Sequence, residues 1–159
     1  MNNSMGLKPG VSFIAGKRGS GKTQALTWLA EEFALKGLPV YVFFPWDLFE
    51  EHSTLTRLKQ CHPEIHELDS VAEMLNRLRN AKKGSVFLLD DIHNDVIQKN
   101  AHLIGSSRRV FDTLMELDNL AKEFGHVIVF TKTVQFKGME NPLEMGVSTI
   151  SAVPTYILG

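Results

Sequence analysis

The chain has 159 residues, 43% apolar and 22% charged, with 17 basic against 18 acidic side chains and a formal net charge of −1. That length suits one domain with its own core, and the even charge balance excludes both a binder that works through bulk positive charge and a disordered acidic chain. Cys61 is the only cysteine, which excludes an internal disulfide and thiol-built metal sites and fits a reducing compartment; no apolar run reaches a membrane span, and "MNNSMGLKPG" lacks a secretory apolar centre.

In chain order, residues 1–9 read as a flexible lead and Val11–Ala15 ("VSFIA") as a short strand before a glycine-rich segment. Leu26, Leu29, Ala30 and Phe33 recur at helical spacing over Thr23–Lys36, and Gly37 and Pro39 stop that helix. Pro39–Phe44 ("PVYVFF") is β-branched and aromatic, a buried strand. A helix over Asp47–Lys59 and a brief strand at "EIHEL" follow. Ser70 and Glu73 form a capping box before a helix with Val71, Met74, Leu75 and Leu78 on one stripe, and Gly84 ends it. "SVFLLDD", Ser85–Asp91, is a strand. Ser107–Phe124 is a helix carrying Val110, Phe111, Leu114, Leu117 and Ala121; Gly125 caps it, and His126–Thr131 ("HVIVFT") and Thr155–Leu158 ("TYIL") are the last strands. Strands alternating with helices predict a three-layer α/β/α sandwich on a mainly parallel sheet, residues 1–159 forming one domain with right-handed crossovers.

"GKRGSGKT", Gly16 to Thr23, matches the phosphate-loop pattern at every fixed position. Its glycines let successive amides turn inward toward phosphate oxygens, and the following helix adds its positive end at the same point. Gly16, Lys17, Arg18, Gly19, Ser20, Gly21, Lys22 and Thr23 are therefore the candidate nucleotide cradle. Lys22 is its point charge for the terminal phosphates, and the Thr23 hydroxyl faces Mg²⁺. The strand before and the helix after the motif argue against a chance match.

An apolar run ending in two adjacent carboxylates needs positive charge near it, because burying either acid unpaired costs several (~2–7) kcal/mol. The chain resembles the P-loop NTPases, and in that resemblance Asp90 is the strand-end acid that holds Mg²⁺. Asp91 stands where one large division carries a water-polarising carboxylate, usually Glu, so its arm is one methylene short. Two plainer roles stay open for Asp91: capping the next turn, or pairing with Arg108. Thr131, at the carboxyl end of its strand, would orient water or sense the γ-phosphate, or else satisfy a loop N–H.

"GKRGSGKT", "FLLDD" and "HVIVFT" together resemble the RecA-like division, in which an added strand separates the phosphate-loop and metal-acid strands. The Thr131 strand would then lie between them, in a core without a lid domain. "RRVFDTLMELDNLAKEFGHVIVFTK" is similar to the FtsK–HerA group of DNA-pumping ATPases, which includes small viral genome-packaging enzymes. That resemblance implies ATP and Mg²⁺ as cofactors, a homo-oligomeric ring such as a hexamer, double-stranded DNA as partner, and location in the cytoplasm, the host's or a virion if viral. It also implies an arginine finger, with Arg108 and Arg109 as candidates. Lys132 stands where the group has Gln, and Asp91 where it has Glu.

No guanine-reading "NKxD", no "DxxG" and no "LSGGQ" is present, which argues against GTPases and ABC ATPases. The lack of a helical lid before Gly159 argues against an AAA+ module. A small-molecule kinase would need an Arg-bearing lid, whereas 135–153 carries only Lys137; a slow nucleotide-dependent switch is the other alternative. "RLRNAKK", Arg77–Lys83, gathers bases at a helix end, where they also suit the helix's negative pole. His62 and His66 flank Pro63 and make no zinc site.

Overall fold

The computed structural model describes residues 6–17, 21–44, 54–92, 96, 99–103, 110–133 and 155–158. Six parallel strands make one sheet in the order β3-β2-β4-β5-β1-β6, where β1 is Gly10–Gly16, β2 Val40–Phe43, β3 Ile65–Glu67, β4 Val86–Leu89, β5 Val127–Thr133 and β6 Thr155–Leu158. The expected three-layer α/β architecture is what forms, with β5 between the phosphate-loop strand and the acid strand.

The helices are α1 (Lys22–Leu35), α2 (Thr54–Cys61), α3 (Val71–Arg77) and α4 (Val110–Phe124). Strand alternation builds two cores. Ile14, Val42, Leu88 and Val129 meet Leu26, Leu29 and Phe33 of α1 and Leu58 of α2. Phe13, Phe87, Leu89 and Phe130 meet Met74 and Leu75 of α3 and Leu114 and Leu117 of α4. Phe13 and Phe130 lie with ring centroids 5.5 Å apart. Leu7, in the predicted flexible lead, is already buried in the α1 core.

α2 runs two residues past the expected Lys59, and 47–53 and 107–109, where the expected helices begin, lie outside the described residues. The Ser70 hydroxyl accepts from the Glu73 amide as expected of a cap, but Glu73 reaches back to the Asp69 amide, one residue before the usual target.

Strand ends depart from expectation for a reason of partnership. β4 stops at Leu89 because β2 ends opposite it, at Phe43; the Asp90 amide makes a last bond to the Phe43 carbonyl at 2.9 Å. β5 continues to Thr133 because β1 accompanies it to Gly16. Thr131, Lys132 and Thr133 therefore run past the point where β4 has turned away.

At the opposite edge, β1 is anchored by α4. Asp118, 1% exposed, accepts the Val11 amide at 2.8 Å, and Lys122 forms an ion pair with its other oxygen at 2.8 Å. Gly10 has φ +120°, and a Cβ there would sit 2.5 Å from Asp118 Oδ1, so both conformation and space require glycine.

Candidate functional site: a phosphate loop facing an acid turn

β1 delivers the chain at Gly16 and α1 takes it up at Lys22. Gly21, at the helix N-cap, has φ 95° and ψ 20°, a left-handed conformation natural to glycine. No side chain caps α1, and its first turn holds no acid. Its leading amides thus present an uncompensated positive pole, as an anion site requires. Lys22 is 8% exposed, and its ammonium donates to the Lys17 carbonyl at 2.7 Å, within the loop itself. Burial lowers its pKa, while Asp90 and then Asp91 pull it back up. Arg18, Gly19 and Ser20 lie outside the described residues, as do Arg108 and Arg109.

Across the loop, Asp90 is 2% exposed. One carboxylate oxygen accepts the Thr23 hydroxyl at 2.8 Å and the other the Thr131 hydroxyl at 2.6 Å. Burial nevertheless holds its pKa above the usual carboxylate value; the hydroxyl bonds from Thr131 and Thr23 pull it down, Asp91 pushes it up, and Lys22 lowers it. This carboxylate is thus short of positive charge. Hydroxyl and carboxylate oxygens are hard donors that suit a divalent cation such as Mg²⁺, and Thr23 and Asp90 fit such an ion on that chemistry.

Asp91 is the described non-glycine residue with positive φ, +56°. The left-handed region costs an ordinary residue roughly 1–2 kcal/mol and is least unfavourable for Asp and Asn. The strand-end overhang of β5 holds it there. The Asp91 amide donates to Thr131 Oγ1 at 2.7 Å, the Ile92 amide to the Thr131 carbonyl at 3.1 Å, and Thr133 Oγ1 to Asp91 Oδ1 at 3.4 Å. Thr131 is fully buried. Its hydroxyl donates to one acid of the pair and accepts from the backbone of the other, so the loop N–H that the sequence left as an alternative is the one it satisfies.

Lys22, Thr23, Asp90, Asp91 and Thr131 therefore converge from α1, β4 and β5. Thr133 was missed. Its signal was present: residues two apart on a strand share a face, and Thr131-Lys132-Thr133 sets a second hydroxyl beside the first. Lys132, on the opposite face, is buried at 3%. A groove of about 330 Å³ lies beside the site between α1 and α2, lined in part by Gln24, Arg57, Cys61 and His62; Lys22 and Asp90 are not among its walls.

An uncapped glycine loop opposite a buried strand-end acid, on a parallel sheet of this order, defines a P-loop nucleotide-binding protein. The particular family follows from the sequence: the model of the ATPase family associated with various cellular activities (AAA) matches residues 12–151, and the chain belongs to that family. It is an ATP-hydrolysing enzyme. The expectation drawn from the missing lid, that this is not an AAA+ module, is overturned, since the match spans the α/β core itself. Among solved structures, the chain is similar to the flagellar accessory protein FlaH from Methanocaldococcus jannaschii, at TM-score 0.58 and 13% identity over 97% of this chain and 72% of that one. It is also similar to a second solved structure, an ATPase domain, at TM-score 0.51 and 12% identity over 84% of this chain. The chain spans 60% of that second structure. These likenesses concern the fold. No curated protein sequence matches. Among the described residues, no helix is long and apolar enough to cross a membrane.

Proposed function

We propose that this chain, residues 1–159 acting as one domain, is a Mg²⁺-dependent ATPase that works as an oligomeric ring and moves double-stranded DNA, as in genome packaging. The observation that carries the hydrolytic part is the hydroxyl-strapped acid turn, Asp90 and Asp91 held against Thr131 directly across from Lys22 and Thr23.

The loop amides from Gly16 to Thr23 and the Lys22 ammonium bind the phosphates, the lysine exchanging its Lys17 carbonyl for phosphate oxygen. Thr23 and Asp90 hold Mg²⁺. When bound, that ion neutralises charge on the β- and γ-phosphate oxygens. Asp91 orients the attacking water and accepts its proton, its aim set by a left-handed backbone. Thr131 keeps both acids in register and so links the γ-phosphate side of the site to β5. Arg108 and Arg109 remain the candidates for a neighbour's arginine finger.

The DNA part is supported by the resemblance to the FtsK–HerA group. Its long helix, glycine and strand recur here as α4, Gly125 at φ 70° and β5. Steady-state phosphate release with and without double-stranded DNA, alongside the assembly mass with a nucleotide analogue, tests it. Stimulation that rises with protomer concentration is expected; unstimulated hydrolysis by a monomer defeats the motor reading.

One observation favours a second reading, a slow nucleotide-dependent switch. Asp91 is one methylene shorter than the usual Glu, and Thr133 already lies at 3.4 Å from its carboxylate. An Asp91→Ala variant that hydrolyses ATP as fast as the parent would support it.

A further inference from the structure

The edge of the sheet farthest from the phosphate loop carries a band of basic side chains that the nucleotide chemistry does not use. Arg77 ends α3, Arg79, Lys82 and Lys83 follow it, Lys122 lies in the last turn of α4, and Lys8 leads into β1; all six are exposed. The fold alone brings them together. The Gly84 amide bonds the Phe124 carbonyl at 3.1 Å, and the Gly10 amide bonds the His126 carbonyl at 2.9 Å. A Cβ on Gly125 would lie 3.9 Å from Lys83 Cγ, and one on Gly10 would lie 3.2 Å from Lys122 Cε. Arg77 lies over the Tyr41 ring of β2 at 5.6 Å. The band therefore crosses β2, β4, β5 and β1, about 14 Å at ~4.8 Å per strand.

Helix polarity accounts for only part of this charge. Arg77 and Lys122 sit in last turns, where a cation suits the negative pole, and each is ion-paired, to Glu73 and Asp118. Lys83 lies beside Gly125 at the end of α4, where the negative pole also suits a cation, whereas Lys82 lies beyond the end of α3 and Lys8 precedes a strand. No ion pair joins Lys8, Arg79, Lys82 or Lys83 among the described residues. Exposed acids share this edge: Glu123 follows Lys122 on α4, and the carbonyl of Glu64 accepts the Val40 amide where β2 begins. These bases concentrate at one edge of a chain whose net charge is −1.

The band also lacks the features of a protein interface. Of the exposed large apolar side chains among the described residues, Trp28 lies midway along α1 and Leu35 at its end, which reaches this edge on the other face of the sheet, so neither forms an apolar centre within the band. A protein-binding surface builds on an aromatic or apolar centre, whereas a row of solvated bases without one suits a backbone of phosphates. Phosphates advance about 3.4 Å along each strand of a duplex, so ~14 Å faces about four of them.

We infer that this amino edge is a phosphate-backbone contact surface for double-stranded nucleic acid, separate from the nucleotide cradle. It shares with the proposed function only the partner. The test measures binding of the intact chain to a labelled mixed-sequence duplex across a salt series, for the parent and for a variant combining Arg79→Ala, Lys82→Ala and Lys83→Ala. The slope of log affinity against log salt should lose about 2.7 in magnitude, 0.9 for each base removed, with binding at least roughly tenfold weaker at low salt. Basal ATP hydrolysis and thermal stability should stay unchanged, since these side chains are exposed and remote from the loop. An unchanged slope and affinity overturns the inference, as does tighter capture by phosphatidylserine vesicles than by duplex. Duplex-stimulated hydrolysis that the triple variant retains in full, with unaltered affinity, rejects this edge and leaves the motor standing. Edge-dependent binding without any stimulation does the reverse.

Discussion

The two edges of the sheet hold buried polar groups in opposite ways. At the amino edge the buried imidazole of His126 is matched on both ring nitrogens. His126 is fully buried, its Nδ1 accepts the Ser85 amide at 3.1 Å, and its Nε2 donates to the Leu78 carbonyl at 2.8 Å. That pattern selects the neutral Nε2–H tautomer, and the ring ties the ends of α3, β4 and α4 together. At the carboxyl edge, Asp90 stays short of positive charge and Asp91 occupies a left-handed conformation. Stability is concentrated at one edge and left incomplete at the other, which is where a charged ligand can complete it.

The largest effect should come from the cradle. Lys22→Ala removes the ammonium that faces phosphate, and ATP hydrolysis should fall on the order of 10²- to 10³-fold. Thermal stability should change little, because relief of the buried lysine's desolvation offsets the loss of the charge that Asp90 and Asp91 face. Steady-state phosphate release with a melting curve checks both; retained hydrolysis would place the chemistry elsewhere.

Next is Thr131→Val, nearly isosteric but unable to donate to Asp90 or accept from the Asp91 amide. It should destabilise the fold by about 1–3 kcal/mol by leaving a buried amide unsatisfied, and lower kcat more than it raises KM. Thr131→Ser should recover most of both. Urea unfolding beside kinetics reads the split.

The comparison sharpens further in acid. Burial lowers the His126 pKa below 6.5, so the unfolded chain takes a proton there before the folded one does. Stability contributed by His126 is present above pH 6.5 and is lost as pH falls through the folded value. Asp90 has the opposite sign: its folded pKa is raised above 3.8, so its contribution is lost as pH rises through that raised value. His126→Gln should flatten the acid limb of a stability–pH curve below 6.5. Asp90→Asn should raise nucleotide-free stability at pH 7 by roughly 1 kcal/mol while hydrolysis collapses. A fall in stability there would mean that the carboxylate is better compensated than its surroundings suggest.

The smallest expected effect is Asp91→Gly. Relief of the left-handed backbone should stabilise the nucleotide-free chain by at most about 1 kcal/mol, partly offset by the freedom of glycine when unfolded. Hydrolysis should drop with the lost carboxylate. Denaturant midpoints for Gly and Asn variants side by side measure the strain.

Much of this was legible beforehand where constraints are local. "GKRGSGKT" could be read because a phosphate loop is a run of neighbours whose backbone must turn, and strands and helices could be read from periodicity. The P-loop class was legible in that motif, but the AAA+ module was argued against from a lid looked for at the end of the chain, whereas the match lies in the core. Thr133 went unseen because the length of β5 is set by its partner β1.

By itself, the order of residues determined the phosphate loop, the alternation of strands and helices, and the acids at a strand end, since each depends on side chains a few positions apart. Only the tertiary structure decided that Thr131 engages Asp90 and the Asp91 amide, that Asp118 requires glycine at position 10, and that bases from Lys8 to Lys122 share one edge. The Thr131 and Asp118 relations join positions 40 or more apart, and the basic edge joins three separate stretches of the chain. Hydrogen bonds and charge act through space, so only the sheet order could bring them together.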